Sequence, residues 1–203
     1  MTVLSFKQGT DPEVLRIGLS DGSLFSLRII YLPSHLQDST LFNPESELSE
    51  SQEEALRFAS RCFRAEKAAL SLVSRAEQCC FGITRKLEQR GHSRECTAAV
   101  IGHLSGLGII DDRRFAERLI RSRISGGDSP LKMANALCRR GIPQRQAWEA
   151  VRSSMDSDTE MELLTLFLKK KKLDIQDEAQ SVKYRLKAEK FSKSVIDCYF
   201  EQK

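Results

Sequence analysis

The chain has 203 residues, of which 40% are hydrophobic and 30% charged, a composition typical of a soluble folded protein. Its apolar runs are all shorter than the roughly 18 residues that a membrane-spanning helix needs. The first residues lack the basic region and long apolar core of a signal peptide. These features argue against a membrane-bound or secreted protein and predict a cytoplasmic one.

The net charge of +4 is distributed unevenly along the chain. Residues 1–54 contain three basic and nine acidic residues, for a net charge of −6. Residues 55–203 contain 29 basic and 19 acidic residues, for a net charge of +10. The cationic part suggests a polyanionic partner, or a position near one, with a solvated basic surface as the alternative.

The six cysteines show no spacing typical of a metal site or a disulfide framework. No two of them form a CxxC pattern, and the adjacent pair Cys79 and Cys80 is poorly suited to chelate a metal. We therefore predict that the cysteines pack as neutral side chains in a reducing cytoplasm.

Residues 1–31 are predicted to form a small β segment. Alternating apolar and polar residues indicate strands at 2–7, 13–20 and 23–30, and Ser20-Asp21-Gly22-Ser23 is a tight-turn signal. The strands would form a β-hairpin or a three-stranded meander that leans on the helices after it. Residues 32–59 are predicted to be a linker and a first helix, with Ser51-Gln-Glu-Glu54 as the capping box of that helix.

From about residue 51 onward the sequence is helical and repeats with a period near 50. Apolar residues recur at matching positions, followed by glycine in two copies and lysine in the third: Ile83, Leu87 and Gly91; Met133, Leu137 and Gly141; Val182, Leu186 and Lys190. Such a period predicts tandem repeats, here at residues 60–108, 109–156 and 157–203. The predicted fold class is mainly α, with tandem three-helix-bundle repeats in an elongated, curved array after the β segment.

The joint between the first two repeats has clear helix-end and helix-start signals. Gly108 suits the left-handed turn after a helix, and Asp112 is predicted to cap the next helix. Similar start signals are Ser93, Ser129-Pro130, Pro143, Ser157-x-x-Glu160 and Ser192.

No catalytic or metal-binding constellation is recognisable in the sequence. The chain has no glycine-rich phosphate loop, no HExxH pattern and no Ser/His/Asp arrangement that can be assembled without inventing contacts. Asp111 and Asp112 could be imagined as a metal-binding pair, but a helix cap needs fewer assumptions. We predict no catalytic residue, no metal and no cofactor, and an enzyme with an unusual site is one of the alternatives.

Basic surface is the remaining candidate for a functional site. Arginines cover one face of the helix that follows Asp112, and basic residues take matching positions in the repeats. A continuous stripe would bind phosphates without sequence preference, whereas a solvated face would bind nothing. Trp148 is either an exposed anchor for a partner or partly buried at a joint. The candidate partner or DNA contacts are Arg85, Lys86, Arg90, Arg113, Arg114, Arg118, Arg121, Arg139, Arg140, Lys169, Lys170, Lys171 and Lys172.

Two motifs together resemble a known family. The first is Leu104-x-x-Leu107-Gly108-Ile109-Ile110-Asp111-Asp112-x-x-Phe115-Ala116, and about twenty residues later comes Leu137-x-Arg139-Arg140-Gly141-Ile142. Lys86-Leu87-x-x-Arg90-Gly91 resembles the matching motif of the first repeat. These residues resemble the RecX regulators of the bacterial RecA recombinase, over roughly residues 65–155 and, by the repeat, 156–203.

The resemblance implies a regulator without a catalytic centre. It implies tandem three-helix repeats that bind RecA and the RecA–DNA nucleoprotein filament, and that inhibit ATP hydrolysis, strand exchange and co-protease activity in DNA repair and the SOS response. The expected chain is monomeric and makes no membrane contact, and weak direct binding of DNA is left open. The rival functions are a direct helical DNA-binding regulator and a neutral helical scaffold.

Overall fold

The computed structural model describes residues 1–173 and 175–201, and in this part of the chain it contains three strands and nine α-helices. The strands are β1 (Val3–Gln8), β2 (Val14–Leu19) and β3 (Leu24–Arg28). The helices are α1 (Glu50–Val73), α2 (Cys80–Gln89), α3 (Arg94–Gly106), α4 (Asp112–Ser125), α5 (Pro130–Cys138), α6 (Gln144–Ser153), α7 (Ser157–Lys171), α8 (Ile175–Ala188) and α9 (Lys193–Glu201). The prediction of a mainly α fold with an N-terminal β meander is confirmed.

The three strands form an antiparallel sheet in the order β1-β2-β3. Leu15 lies opposite Leu27, and Ile17 lies opposite Phe25, so these side chains share one face of the sheet. All four are buried, because α1 packs against that face. The meander therefore obtains its core from a helix, as its small size requires.

The segment between the sheet and α1 differs from the predicted linker. It forms three short 3-10 helices at Ile29–Tyr31, Ser34–Leu36 and Ser39–Phe42. Its apolar side chains enter the core of the sheet and α1, where Phe42 is completely buried. The prolines and serines do mark irregular backbone, but the apolar residues between them fix the segment in place.

Three predicted helix starts are wrong by one or two residues. Ser49 and Gln52 form the capping box of α1, whereas the predicted box began at Ser51. Asp111 caps α4 through hydrogen bonds from the backbone N–H groups of Arg113 and Arg114, and Asp112 is the first helical residue. Asp156, rather than Ser157, caps α7. Neighbouring residues of the same capping type are equally suitable in a sequence, and only the backbone geometry selects one of them.

The helix ends support the internal repeat. Gly91, Gly141 and Lys190 all have left-handed backbone, with φ of 84°, 80° and 68°. The next residue in each copy donates its N–H to the carbonyl five residues earlier, over 3.1, 3.2 and 3.2 Å. This is the Schellman ending of an α-helix, and it recurs at the matching position of all three segments. Gly108 also has the predicted left-handed conformation.

The chain divides into two compact units, Met1–Ile110 and Asp111–Lys203. In the first, α1 lies between the sheet and helices α2 and α3, and one continuous core joins them. In the second, α4 and α5 pack against α6, and α7 and α8 pack against α9. The predicted repeat boundaries and the elongated, curved arrangement stay predictions.

The described helices include none that is both long enough and apolar enough to cross a membrane.

Candidate partner-binding surface

The exposed face of α4 carries four of the thirteen predicted contact residues. Ala116 and Ile120 point into the core, while Arg114, Arg118 and Arg121 follow one another at helical spacing on the outside. Arg113 is also exposed, and its Nε lies 2.9 Å from Oε1 of Glu117. An exposed ion pair of this kind contributes little to stability, so Arg113 can exchange it for contact with a partner at small cost.

A groove runs between α4 and α6 beside this row. It has a volume of about 690 Å³, and Ala116, Ile124, Ile142 and Ala150 contribute its apolar lining. Its charged lining includes Arg113, Glu117, Arg121 and Glu149. The predicted contact residues thus flank a groove that offers both apolar area and charge.

The outer face of α6 extends the basic surface with two arginines that were not among the predicted contacts. Arg145 and Arg152 are exposed, and Trp148 lies between them at helical spacing. Trp148 is half-buried and lines a depression on the surface together with these two arginines and Glu149. A tryptophan beside two exposed arginines has the composition of an interface hot spot.

A second basic region is built around a buried carboxylate that follows α4. The side chain of Asp128 is 6% exposed. Its oxygens lie 2.8 Å from Nη1 of Arg123, 2.6 Å from Nζ of Lys132 and 3.2 Å from Nζ of Lys170. Lys170 also donates to the carbonyl oxygen of Gly126 over 2.6 Å. The predicted contact Lys170 therefore also connects α7 to the loop between α4 and α5.

The charge of Asp128 is fixed by these partners. Burial by itself raises the pKa of this carboxyl, but hydrogen bonds from Lys132, Arg123 and Lys170 outweigh burial. The net result is a pKa far below the usual range, so Asp128 is ionised at any physiological pH.

A notch of about 290 Å³ opens next to Asp128, between α5 and α7. Four cationic side chains line it, Lys132, Arg139, Lys170 and Lys171, together with the Asn135 amide. Asp128 and Glu189 are its two carboxylates. We call this group of residues the notch. It brings the predicted contacts Arg139, Lys170 and Lys171 together.

The remaining predicted contacts occupy several places. Arg85, Lys86 and Arg90 belong to the first unit, where Nζ of Lys86 donates to Oε1 of Gln78 over 2.8 Å. Arg140 is half-buried, and its Nη1 donates to the carbonyl oxygen of Ala136 over 3.3 Å. Lys169, Lys171 and Lys172 are exposed at the end of α7, where positive charge complements the helix dipole.

The sequence patterns did not identify Asp128 and Lys132 as members of an ion cluster. Their spacing of four residues, directly after Gly126 and Gly127, was a visible signal for a helical ion pair. The third partner, Lys170, is 42 residues away in the sequence, and no local pattern predicts that contact.

Other titratable groups support packing rather than chemistry. His103 packs edge-on against Tyr31, with ring centroids 5.7 Å apart. Burial raises the pKa of the Cys62 thiol well above its usual range, which keeps it neutral as predicted. Within the described residues, no group of three or more His, Cys, Asp or Glu side chains is arranged to hold a metal ion.

Comparison with known proteins finds similarity to RecX proteins. A family model described as "RecX, second three-helix domain" matches residues 111–151, which hold α4, α5 and most of α6. The Regulatory protein RecX of Pseudomonas putida is 33% identical over 88 residues, which are 43% of this chain and 56% of that protein. That of Halorhodospira halophila is 37% identical over 75 residues, 37% of this chain and 47% of that protein. The chain spans about half the length of these curated relatives.

Two solved structures share the fold. A crystal structure of regulatory protein RecX matches with a TM-score of 0.69 and 21% identity, and the match covers 97% of each chain. A RecX structure from Lactobacillus salivarius matches with a TM-score of 0.58 and 19% identity, over 71% of this chain and 97% of that one. The motif resemblance, the matched second domain and this fold agree, and the chain is similar to the RecX regulatory proteins.

Proposed function

We propose that this chain is a regulator that binds the RecA recombinase and its DNA filament. In this role it lowers the recombinase, ATPase and co-protease activities of the filament during DNA repair and the SOS response. Similarity to regulatory proteins named RecX supports the proposal. The chain acts by binding, as a monomer in the cytoplasm, and has no catalytic residue or cofactor of its own.

One observation carries the choice of surface. Within the segment that matches the family's second domain, α4 presents a row of exposed arginines beside a groove with an apolar floor. We propose that Arg113, Arg114, Arg118 and Arg121 contact the filament, together with Arg139 and Arg140. Dense positive charge suits a partner that carries DNA, because opposite charge accelerates the encounter and orients it.

RecA ATP hydrolysis on single-stranded DNA tests the function directly. Titrating this chain into RecA at sub-stoichiometric amounts should lower the ATPase rate progressively, while the chain alone hydrolyses no ATP. A rate that stays constant up to equimolar protein would contradict the proposed function. Attention would then turn to a regulator that binds DNA by itself.

Charge reversal tests the surface. The triple variant Arg114→Glu/Arg118→Glu/Arg121→Glu should raise the concentration needed for half inhibition by about tenfold or more, because attraction becomes repulsion. The control Lys7→Glu/Arg16→Glu/Arg75→Glu changes the same number of exposed charges in the first unit and should inhibit like the unchanged protein. Equal effects of the two triple variants would show that net charge, and not the α4 face, determines inhibition.

A further inference from the structure

The notch holds more positive charge than its own carboxylates neutralise. Lys132, Arg139, Lys170 and Lys171 contribute four cations against the two carboxylates of Asp128 and Glu189. Arg123 adds a fifth cation, because it also binds Asp128. A concave site with this excess attracts an anion, since low-dielectric walls strengthen the field inside a cleft.

Both carboxylates are already engaged by the protein. Asp128 accepts from three cationic side chains. Glu189 accepts the hydroxyl of Ser129 through its carboxylate and the N–H of Leu131 through its backbone carbonyl, at 3.1 Å for the latter. The acidic groups therefore hold the walls of the notch together, and they hold Lys132 and Lys170 in fixed positions.

The start of α5 is not the source of anion affinity. Its first residue, Pro130, has no N–H, and the N–H groups of Leu131 and Lys132 donate to Glu189 and to the Ser129 hydroxyl. The hydrogen-bond donors of the notch that a ligand could use therefore belong to side chains. Arg139, Lys171 and the Asn135 amide are exposed around the notch. A guanidinium fork, an ammonium and an amide together match the oxygens of a phosphate group.

We propose that the notch binds a backbone phosphate of single-stranded DNA. Lys132 and Lys170, preorganised by Asp128, supply the fixed charge, and Arg139, Lys171 and Asn135 supply hydrogen bonds to the phosphate oxygens. Lys169 and Lys172 lie at the same end of α7 and provide charge for the phosphates on either side. The choice of DNA as the source of the phosphate rests on the proposed function.

Direct binding to a labelled oligo(dT), measured by fluorescence anisotropy without RecA, tests the notch. The variant Arg139→Gln/Lys171→Gln replaces two exposed cationic donors, which are not among the ion partners of Asp128, with neutral amides. It should weaken binding by about tenfold and reduce the slope of log K against log salt by about 0.7, the value of one lost single-strand phosphate contact. The matched control Lys7→Gln/Arg75→Gln removes one exposed lysine and one exposed arginine of the first unit, and it should change affinity and slope by much less.

Three further results would overturn the proposal. Equal losses in the two double variants would mean that binding follows diffuse charge. Equally tight binding of poly-glutamate would reassign the notch to an acidic protein segment. Equally tight binding of inorganic phosphate, judged by its displacement of the oligonucleotide, would reassign it to a small free anion. Weak competition by both anions, together with loss of binding to an oligonucleotide with neutral methylphosphonate linkages, would support a backbone phosphate.

The two proposals fail separately. If the notch variant binds oligo(dT) weakly but the unchanged chain does not inhibit RecA, the notch assignment stands and the proposed function falls. If the chain inhibits RecA while the notch variant binds oligo(dT) like the control, the function stands and the notch assignment falls.

Discussion

Each of the two units contains an ion cluster, and the two clusters have opposite compositions. In the first unit one cation serves three carboxylates: Nε of Arg28 lies 3.0 Å from Oε1 of Glu66, and its Nη1 lies 2.9 Å from both Asp11 and Glu13. In the second unit one carboxylate, Asp128, serves three cations. The first cluster fastens the sheet to α1, and the second fastens α7 to the loop between α4 and α5.

The two clusters also differ in how far their cations are exposed to solvent. Arg28 and Glu66 are deeply placed, with side chains 17% and 3% exposed, so this cluster is a structural fastening. Lys132 and Lys170 are about half exposed, at 53% and 47%, although Asp128 is buried. The second cluster therefore presents positive charge to solvent, where a partner can use it. Four measurements can break or sharpen this comparison.

Removing the single cation of the first cluster should have the largest effect. Arg28→Met leaves Glu66 buried without its charge partner and should lower the free energy of unfolding of the first unit by about 4 kcal/mol. Urea unfolding followed by circular dichroism should show an early loss of structure in that unit. Trp148, the chain's one tryptophan, lies in the second unit, and its fluorescence transition should not move.

Two variants control this experiment. Arg16→Met removes an exposed arginine of β2 and should change stability by less than about 0.5 kcal/mol. Arg28→Met/Glu66→Leu also removes the buried carboxylate that has lost its partner, and it should recover most of the lost stability. A single variant as stable as the unchanged protein would show that the cluster does not fasten the sheet.

Removing the carboxylate of the second cluster should have a smaller effect. Asp128→Asn leaves three cations close together, but Lys132 and Lys170 can turn into solvent. We expect a loss of about 2 kcal/mol, measured by urea unfolding with Trp148 fluorescence. Glu162→Gln, an exposed change on α7, is the control and should be near neutral. A loss as large as that of Arg28→Met would contradict the distinction between the clusters.

The same carboxylate should make the second unit sensitive to acid. Because the pKa of Asp128 is lower in the folded than in the unfolded chain, its stabilisation is fully present above the unfolded value of about 4 and is lost as the pH falls below it. Unfolding curves followed by fluorescence should show that the unchanged protein and Asp128→Asn differ less and less in their free energy of unfolding as the pH falls from 5. A difference that stays constant down to pH 2 would mean that a group other than Asp128 causes the acid sensitivity.

A helix end provides the smallest test. The turn after α2 in the first unit has glycine, Gly91, whereas the matching turn after α8 in the second has Lys190 in the same left-handed conformation. Lys190→Gly should raise stability by about 1 kcal/mol, because the side chain that disfavours this backbone is removed. Lys187→Gly, inside the last turn of α8, should instead lower it by about 1 kcal/mol. Thermal unfolding of both variants, compared with that of the unchanged protein, measures the two opposite changes in stability.

Local sequence patterns predicted the strands, the helical character and the recurrence of the apolar positions. Ile83, Leu87, Met133, Leu137, Val182 and Leu186 are all buried, as the repeat predicts, because a helix at this spacing has one face toward its neighbours. The same patterns placed caps within one or two residues but did not choose between Asp111 and Asp112. They also predicted a linker from residue 32 to about residue 51, since Phe42 and Leu48 show no period by which burial could be recognised.

The sequence by itself determined the resemblance to RecX proteins, the helical repeat and the excess of positive charge after residue 54, because these depend on residue types and their spacing along the chain. Only the tertiary structure decided which charges are engaged and which are presented. Arg28 and Glu66 are 38 residues apart, and Asp128 and Lys170 are 42 apart. Such pairs form only when packing brings distant segments together and removes water from one partner. A local sequence pattern therefore cannot predict them.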